Sequence, residues 1–148
     1  MVEIVRLIRR DGLDSLMDLY GLLHPGDPDM RNDPCLKPLW GDISNDQSLF
    51  YPVVEVDGRI VSSCTLAIIK NLTRGLRPYG IIENVISHPD YRKKGYGTMV
   101  LQKAVDIANE KGCYKVMLMT GQKDEETLRF YDQAGFVRDI KTGFIINL

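Results

Sequence analysis

The sequence predicts a mixed α+β domain on three observations: an alternating apolar strand at the start, two β-rich runs joined by Asp-Gly in the middle, and a strand–helix–strand–helix order toward the end. The first strand is EIVRLIRR, with Ile4, Val5, Leu7 and Ile8 as its apolar positions. A helix follows over DGLDSLMDLYGLL, where Leu13, Leu16, Met17, Leu19 and Tyr20 keep close to one helical face. HPGDPDMRNDP holds three prolines and four Asp or Asn residues, which is loop chemistry. Pro38 limits any helix through CLKPLWGDIS to a short one, with the proline in its first turn.

In LFYPVVEVDGRIVSSCTLAIIK, two β-rich runs flank Asp57-Gly58, the strongest local hairpin signal in the chain. NLTRGLRPYG is a second loop, and YGIIENVISHP is a strand that ends before Pro89. GYGTMVLQKAVDIANEKGC reads as a helix with Val100, Leu101, Ala104, Val105 and Ala108 on its apolar stripe and Gly112 as its stop. YKVMLMT is a buried-type strand. DEETLRFYDQA is a helix with Asp124 as N-cap and Gly135 as stop. FVRDIKTGFIINL closes the chain as two short strands around KTG, which could pair across a homodimer.

A chain of 148 residues without repeats or low-complexity tracts suits a single domain over residues 1–148. With 44% hydrophobic and 26% charged residues it is not a disordered chain. Nineteen Lys and Arg against twenty Asp and Glu leave no basic excess for general nucleic-acid binding, so any anion site must be local. Cys35, Cys64 and Cys113 form no CxxC pair and His24 and His88 lie far apart; no metal site is expected, and a reducing cytoplasmic setting is the simplest. No apolar run approaches a membrane span, and MVEIVRLIRR lacks the parts of a signal peptide.

The chemistry concentrates in HPDYRKKGYGTMVLQKA, which joins the strand ending near Ser87 to the helix beginning near Tyr96. Backbone N–H groups at a helix start have no internal partners, and the positive end of the helix dipole lies there. Gly95 and Gly97 let backbone approach a bulky anion, Arg92, Lys93 and Lys94 add charge, and Thr98 adds a hydroxyl donor. A pyrophosphate needs this many donors. The phosphate loop GxxxxGK[ST] is absent and the spacing is not GxGxxG, so neither nucleotide fingerprint applies.

VISHPDYRKKGYGTMVLQKAV, then GCYKVMLMT and LRFYDQAGF, resembles the GNAT superfamily of acetyl-CoA-dependent N-acetyltransferases. Arg92-Lys93-Lys94-Gly95-Tyr96-Gly97 fits its [RQ]xxGx[GA] signature, and Phe130-Tyr131 with Gly135-Phe136 fits its later FYxxxGF; the match is close over residues 81–137. The resemblance implies the GNAT-type fold, a central, mostly antiparallel and splayed sheet flanked by helices. It implies acetyl-CoA as acetyl donor, without a metal, its pantetheine arm on the bulged strand at Asn84, Val85, Ile86 and Ser87. Its pyrophosphate would then meet the backbone from Arg92 through Thr98. It also implies Glu83 as base, directly or through water, and Tyr131 near the sulfur as general acid or thiolate stabiliser. The Val85 N–H would face the developing oxyanion. The apolar residues around Glu83 predict a desolvated carboxylate, a stronger base near neutral pH. Where many members carry Asn at the start of the last helix, this chain has Asp124, or Thr127 with a shifted gap.

IENVISHPDYRKKGYG and GCYK are further similar to the glucosamine-6-phosphate N-acetyltransferases, although Met119 stands where those enzymes carry an acidic residue and Asn84 replaces their Asp. The acceptor side falls on two loops. Asp27, Asp29, Asp33 and His24 suit an ammonium, and Arg74 and Arg77 suit a phosphate or carboxylate. The reading is transfer of acetyl to a primary amine of a small molecule such as an amino sugar, by direct attack on the thioester. A protein or peptide acetyltransferase and a non-catalytic acyl-CoA sensor are the alternatives.

Overall fold

The computed structural model describes residues 2–148. Its strands are β1 (Glu3–Leu7), β2 (Leu49–Phe50), β3 (Pro52–Val56), β4 (Arg59–Ile69), β5 (Tyr79–Ser87) and β6 (Val116–Leu118). They form one sheet in the order β1-β3-β4-β5-β6, with β2 also paired to β4. All pairings are antiparallel except β5 with β6, giving the expected mostly antiparallel α+β sheet.

The β3–β4 hairpin forms where Asp57-Gly58 predicts it. Both residues take left-handed backbone, φ 49° and 82°, in the two-residue turn whose twist matches that of the flanking strands. β4 is the central strand and is buried from Ile60 through Thr65 and Leu66. Helices α1 (Leu13–Leu23) and α3 (Tyr96–Glu110) cover its two faces. On one face Leu19 of α1 packs with Val53, Ile60 and Ile86. On the other, Tyr96, Val100, Leu101, Ala104, Ile107 and Ala108 of α3 pack on Val54, Val61, Cys64, Leu66 and Ile82. Each large apolar side chain buried there contributes roughly 1.5–3 kcal/mol.

The helix through CLKPLWGDIS runs the full ten residues of α2 (Leu36–Asn45). Pro38 is its third residue, where a missing N–H removes no helical bond. Trp40 anchors α2 by donating its indole N–H to the Arg10 carbonyl at 2.9 Å and meeting Tyr51 edge to face. Helix α4 (Glu125–Gln133) starts on its expected cap: Asp124 accepts the Thr127 N–H at 3.0 Å.

Two expectations fail at the end of the chain. YKVMLMT yields only the three-residue β6, because β5 stays beside it no further than Ile82. FVRDIKTGFIINL forms no strand; among the described residues none of it pairs with β6, whose outer edge carries no other strand.

Gly58→Ala tests the hairpin. Nothing lies within 4 Å of the added Cβ, so the cost is the left-handed φ alone, about 1 kcal/mol. Thermal unfolding followed by circular dichroism should show a Tm lower by about 2–4 °C.

Candidate active site

The site is built on an irregularity in β5. Glu83 pairs with Thr65 and Ile86 with Ser63, so Asn84 and Val85 together oppose the single residue Cys64. Asn84 absorbs the extra residue with left-handed backbone, φ 52°, which Asn tolerates better than most side chains. Ile82 therefore faces the α3 core whereas Ile86 faces the α1 core, although an even spacing would put them on one face. On the opposite edge, pairing with β6 stops at Ile82–Leu118. From Glu83 onward that edge of β5 carries backbone N–H and C=O groups with no strand beside them.

The basic turn lies directly beyond this opened edge. His88 starts a short 3-10 turn by accepting the Asp90 N–H on Nδ1 at 3.1 Å, and its Nε2 lies 3.0 Å from the Arg59 guanidinium. Lys93 and Gly95 are both left-handed, φ 61° and 82°, and α3 begins at Tyr96 with no side chain capping it. The first-turn N–H groups are thus available to an anion, with Arg92, Lys93 and Lys94 exposed around them. Lys94 Nζ lies 5.7 Å from the centre of the Tyr91 ring.

The two glycines divide their tasks. Nothing lies within 4 Å of a Cβ at Gly95, which serves the left-handed turn. A Cβ at Gly97 would come 2.9 Å from Phe130 and 3.4 Å from Ser87, so Gly97 also lets α4 close on α3. Tyr96 turns inward, its ring in the core and its hydroxyl donating to Glu3 at 2.7 Å; only its backbone remains for a ligand. Ser87 shares a 2.8 Å hydroxyl contact with Ser62, and Val85 packs against the α3 core.

Tyr131 of α4 is half-buried between Phe130 and Phe136, with edge-to-face contacts at 5.0 and 6.5 Å. Burial pushes its phenol above the ordinary tyrosine range, and the nearby Cys64 and Glu83 add to the shift. Tyr131 and Glu83 are therefore brought together, and the tyrosine is held protonated. Glu83 departs from expectation in being exposed: paired with Thr65 in the last regular position before the bulge, its side chain points away from the face on which Ile82 is buried. Asp124 and Thr127 spend their polar atoms on one another in the α4 cap, and the capped Asp124 carboxylate is held below its usual range by the Thr127 N–H and hydroxyl.

Beside the bulge lies a cavity of about 470 Å³ between α1, the loop after it and β5, lined among others by Tyr20, His24, Asp27, Asp29, Arg31 and Asn84. A second cavity of about 510 Å³, between β1 and α2, has none of these residues in its wall. The first is the candidate acceptor pocket. It includes Asp27, Asp29 and His24 as expected, but Asp33 instead binds the Cys35 N–H at 2.8 Å. Arg77 is committed to the Gly112 and Cys113 carbonyls, and Arg74 sits 5.8 Å over the Tyr114 ring; neither lines the pocket.

Three residues here escape a reading of the sequence. Arg31 enters the wall, held 2.5 Å from Asp18 and 3.8 Å from Asp29. Tyr20, on the pocket wall, and Thr65, opposite Glu83, carry buried hydroxyl oxygens for which no partner of normal hydrogen-bond geometry exists among the described residues. They lie near one another and near Asn84, and burial pushes the Tyr20 phenol up to about 12. The apolar face read for α1 includes Tyr20 as a core position, and nothing local distinguishes Thr65 from its neighbours.

A family profile described as the acetyltransferase (GNAT) family matches residues 13–136. A glucosamine 6-phosphate N-acetyltransferase of Trypanosoma brucei brucei is 43% identical over 79 residues, 53% of this chain and 52% of that protein. The chain spans about half the length of such sequence relatives. Among solved structures, an acetyltransferase of Agrobacterium tumefaciens superposes with a TM-score of 0.92 at 36% identity, covering 98% of this chain and 99% of that one. A Trypanosoma brucei acetyltransferase gives 0.84 at 30% identity, covering 99% and 100%.

The state of Tyr20 can be measured. The folded chain retains a proton that the unfolded chain releases between pH 10 and about 12, so stability from this group is intact below pH 10 and lost as pH rises through that window. Denaturant titrations should show a shallower alkaline loss in Tyr20→Phe, by up to about 2 kcal/mol. An unchanged loss would place the hydroxyl in water.

Proposed function

The chain belongs to the GNAT acetyltransferase family, and we propose that it transfers the acetyl group of acetyl-CoA to the primary amine of a small polyhydroxylated molecule, an amino sugar or its phosphate. The carrying observation is the opened edge of β5, with the basic turn at one end, Tyr131 and Glu83 beside it, and the acceptor pocket meeting it at Asn84.

Acetyl-CoA supplies an activated thioester. The free backbone groups of β5 after Glu83 suit the amides of its pantetheine arm, and the start of α3 suits its pyrophosphate. Asp27 and Asp29 favour entry of an ammonium group, and Glu83 accepts its proton, directly or through water, so that the neutral amine attacks the thioester carbon. In this reading the Val85 N–H donates to the carbonyl oxygen as it gains charge. Tyr131, kept protonated by burial, gives its proton to the departing sulfur.

Two features support an amino-sugar phosphate as acceptor. Arg31 adds a cation to an otherwise acidic wall and suits an acidic substituent. Sequence relatives of the chain are named for glucosamine 6-phosphate. Met119, standing where those enzymes carry an acid, is exposed and leaves the pocket to supply its own contacts.

Thiol release from acetyl-CoA should be measured across amino sugars, amino-sugar phosphates, polyamines, amino acids and peptides. Release is expected with the first two. Glu83→Gln and Tyr131→Phe should each lower kcat by roughly 10²–10⁴-fold while CoA still binds in calorimetry. Asp27→Asn combined with Asp29→Asn should raise the amine KM more than it lowers kcat. Release with peptides alone would indicate a protein substrate, and CoA binding without release to any amine would indicate a sensor.

A further inference from the structure

The cavity of about 510 Å³ between β1 and α2 shares no residue with the acceptor pocket, and acetyl transfer makes no use of it. Its volume falls within the roughly 300–1,000 Å³ of small-molecule sites. Much of its wall is apolar: Leu7 ends β1 and Ile8 follows it, Ile43 comes from α2, and Leu49 from β2. Leu7 is exposed and the other three are half-buried, so each has apolar surface that the chain itself leaves in water. Trp40 and Tyr51 join the wall as an edge-to-face pair with ring centres 5.9 Å apart. Backbone contacts hold the pair in place. The Trp40 indole N–H donates to the Arg10 carbonyl, and the Tyr51 carbonyl accepts the Ile8 N–H.

The cations of the wall are unmatched. Arg9 and Arg10 both line the cavity, and among the described residues neither forms an ion pair. Contacts with α2 locate Arg10: its guanidinium lies 3.4 Å from the Asn45 amide oxygen, and a Cβ at Gly41 would come 4.0 Å from it. One long contact to a neutral amide leaves the rest of a five-donor fork open to a planar anion. The one carboxylate of the wall, Asp46, accepts the Ser48 N–H at 2.8 Å and the Ser48 hydroxyl at 2.6 Å, and is the counter-ion of neither arginine.

We propose that this cavity binds a small apolar carboxylate, its hydrocarbon body against Ile8, Ile43, Leu49 and the Trp40–Tyr51 pair and its carboxylate on the Arg9 and Arg10 guanidiniums. A carboxylate fits a guanidinium through two parallel hydrogen bonds, which gives direction as well as attraction. The wall selects for both halves of such a ligand. A compact hydrated anion would leave the apolar surface uncovered, and a neutral hydrocarbon would leave the arginines unmatched. This binding holds or fails whatever amine accepts the acetyl group.

Trp40 is the only tryptophan of the chain, so its emission reads this cavity directly. Phenylacetate should change that emission saturably, and phenylacetamide, of the same shape but neutral, should bind roughly tenfold or more weakly. The double variant Arg9→Gln with Arg10→Gln should lose the preference for the acid while keeping its far-ultraviolet spectrum. Amide shifts in nuclear magnetic resonance spectra are the second measurement: residues 7–10 and the Trp40 indole should respond to phenylacetate. The absence of a saturable change overturns the proposal, as do equal affinities for acid and amide. A folded double variant that still prefers the acid has the same consequence. If that variant does not fold, the acid and amide compared on the unmodified chain still decide. Shifts confined to Asn84 and α1 would put the acid in the acceptor pocket and overturn the assignment.

Discussion

The extra residue in β5 is the constraint on which the rest of the site depends. Without it, Ile82 and Ile86 would share a face and β5 would have no local reason to leave β6. With it, one strand serves both cores, its far edge opens, and Asn84 reaches the pocket wall. The left-handed φ of Asn84 costs on the order of 1 kcal/mol, a small fraction of what the flanking burial contributes. It persists because the well-paired halves of β5 on either side dictate where the surplus residue must fall.

The same region explains how a chain of net charge −1 can gather positive charge in one place. Charge is concentrated rather than abundant, with three consecutive cations placed where helix α3 already directs unpaired N–H groups. Proximity matters more than total charge because solvent and salt screen interactions beyond about 10 Å. Gly97 shows that the motif is also a packing device. The contact that brings Phe130 against α3 fixes the position of the next residue, Tyr131, so the turn and the tyrosine are set by one helix–helix contact.

What the sequence made legible follows from how local the determinants are. Asp57-Gly58 specifies its own turn, Asp124 and Gly135 bound α4 through neighbouring atoms, and Gly95 sits where left-handed backbone is needed. The strand–turn–helix bearing the basic turn is continuous in sequence, and the order and bounds of its elements were readable there. Pro38 misled because a helix tolerates proline at its third residue, a matter of register that composition does not reveal. Glu83 misled because apolar neighbours along a strand do not bury the residue between them: alternation points it away from the face of Ile82. The closing strands misled because β propensity gives no partner, and Phe144 to Ile146 have none within the chain.

The candidate acceptor pocket was legible in part: α1 and the loop after it supply its wall from Met17 through Arg31 within one window, and Asn84 alone comes from the distant β5. Its charge balance depends on a contact outside that wall. Asp18, more than a helical turn from the pocket residues in the loop, holds the Arg31 guanidinium and thereby fixes a cation beside Asp27 and Asp29. An isolated pair of aspartates would draw any cation, including metal ions and polyamines. A guanidinium next to them offsets that pull and makes a wall of mixed sign. Selectivity in such a site comes from leaving buried polar groups unmatched by the wrong amine, whose cost exceeds that of a missing apolar contact.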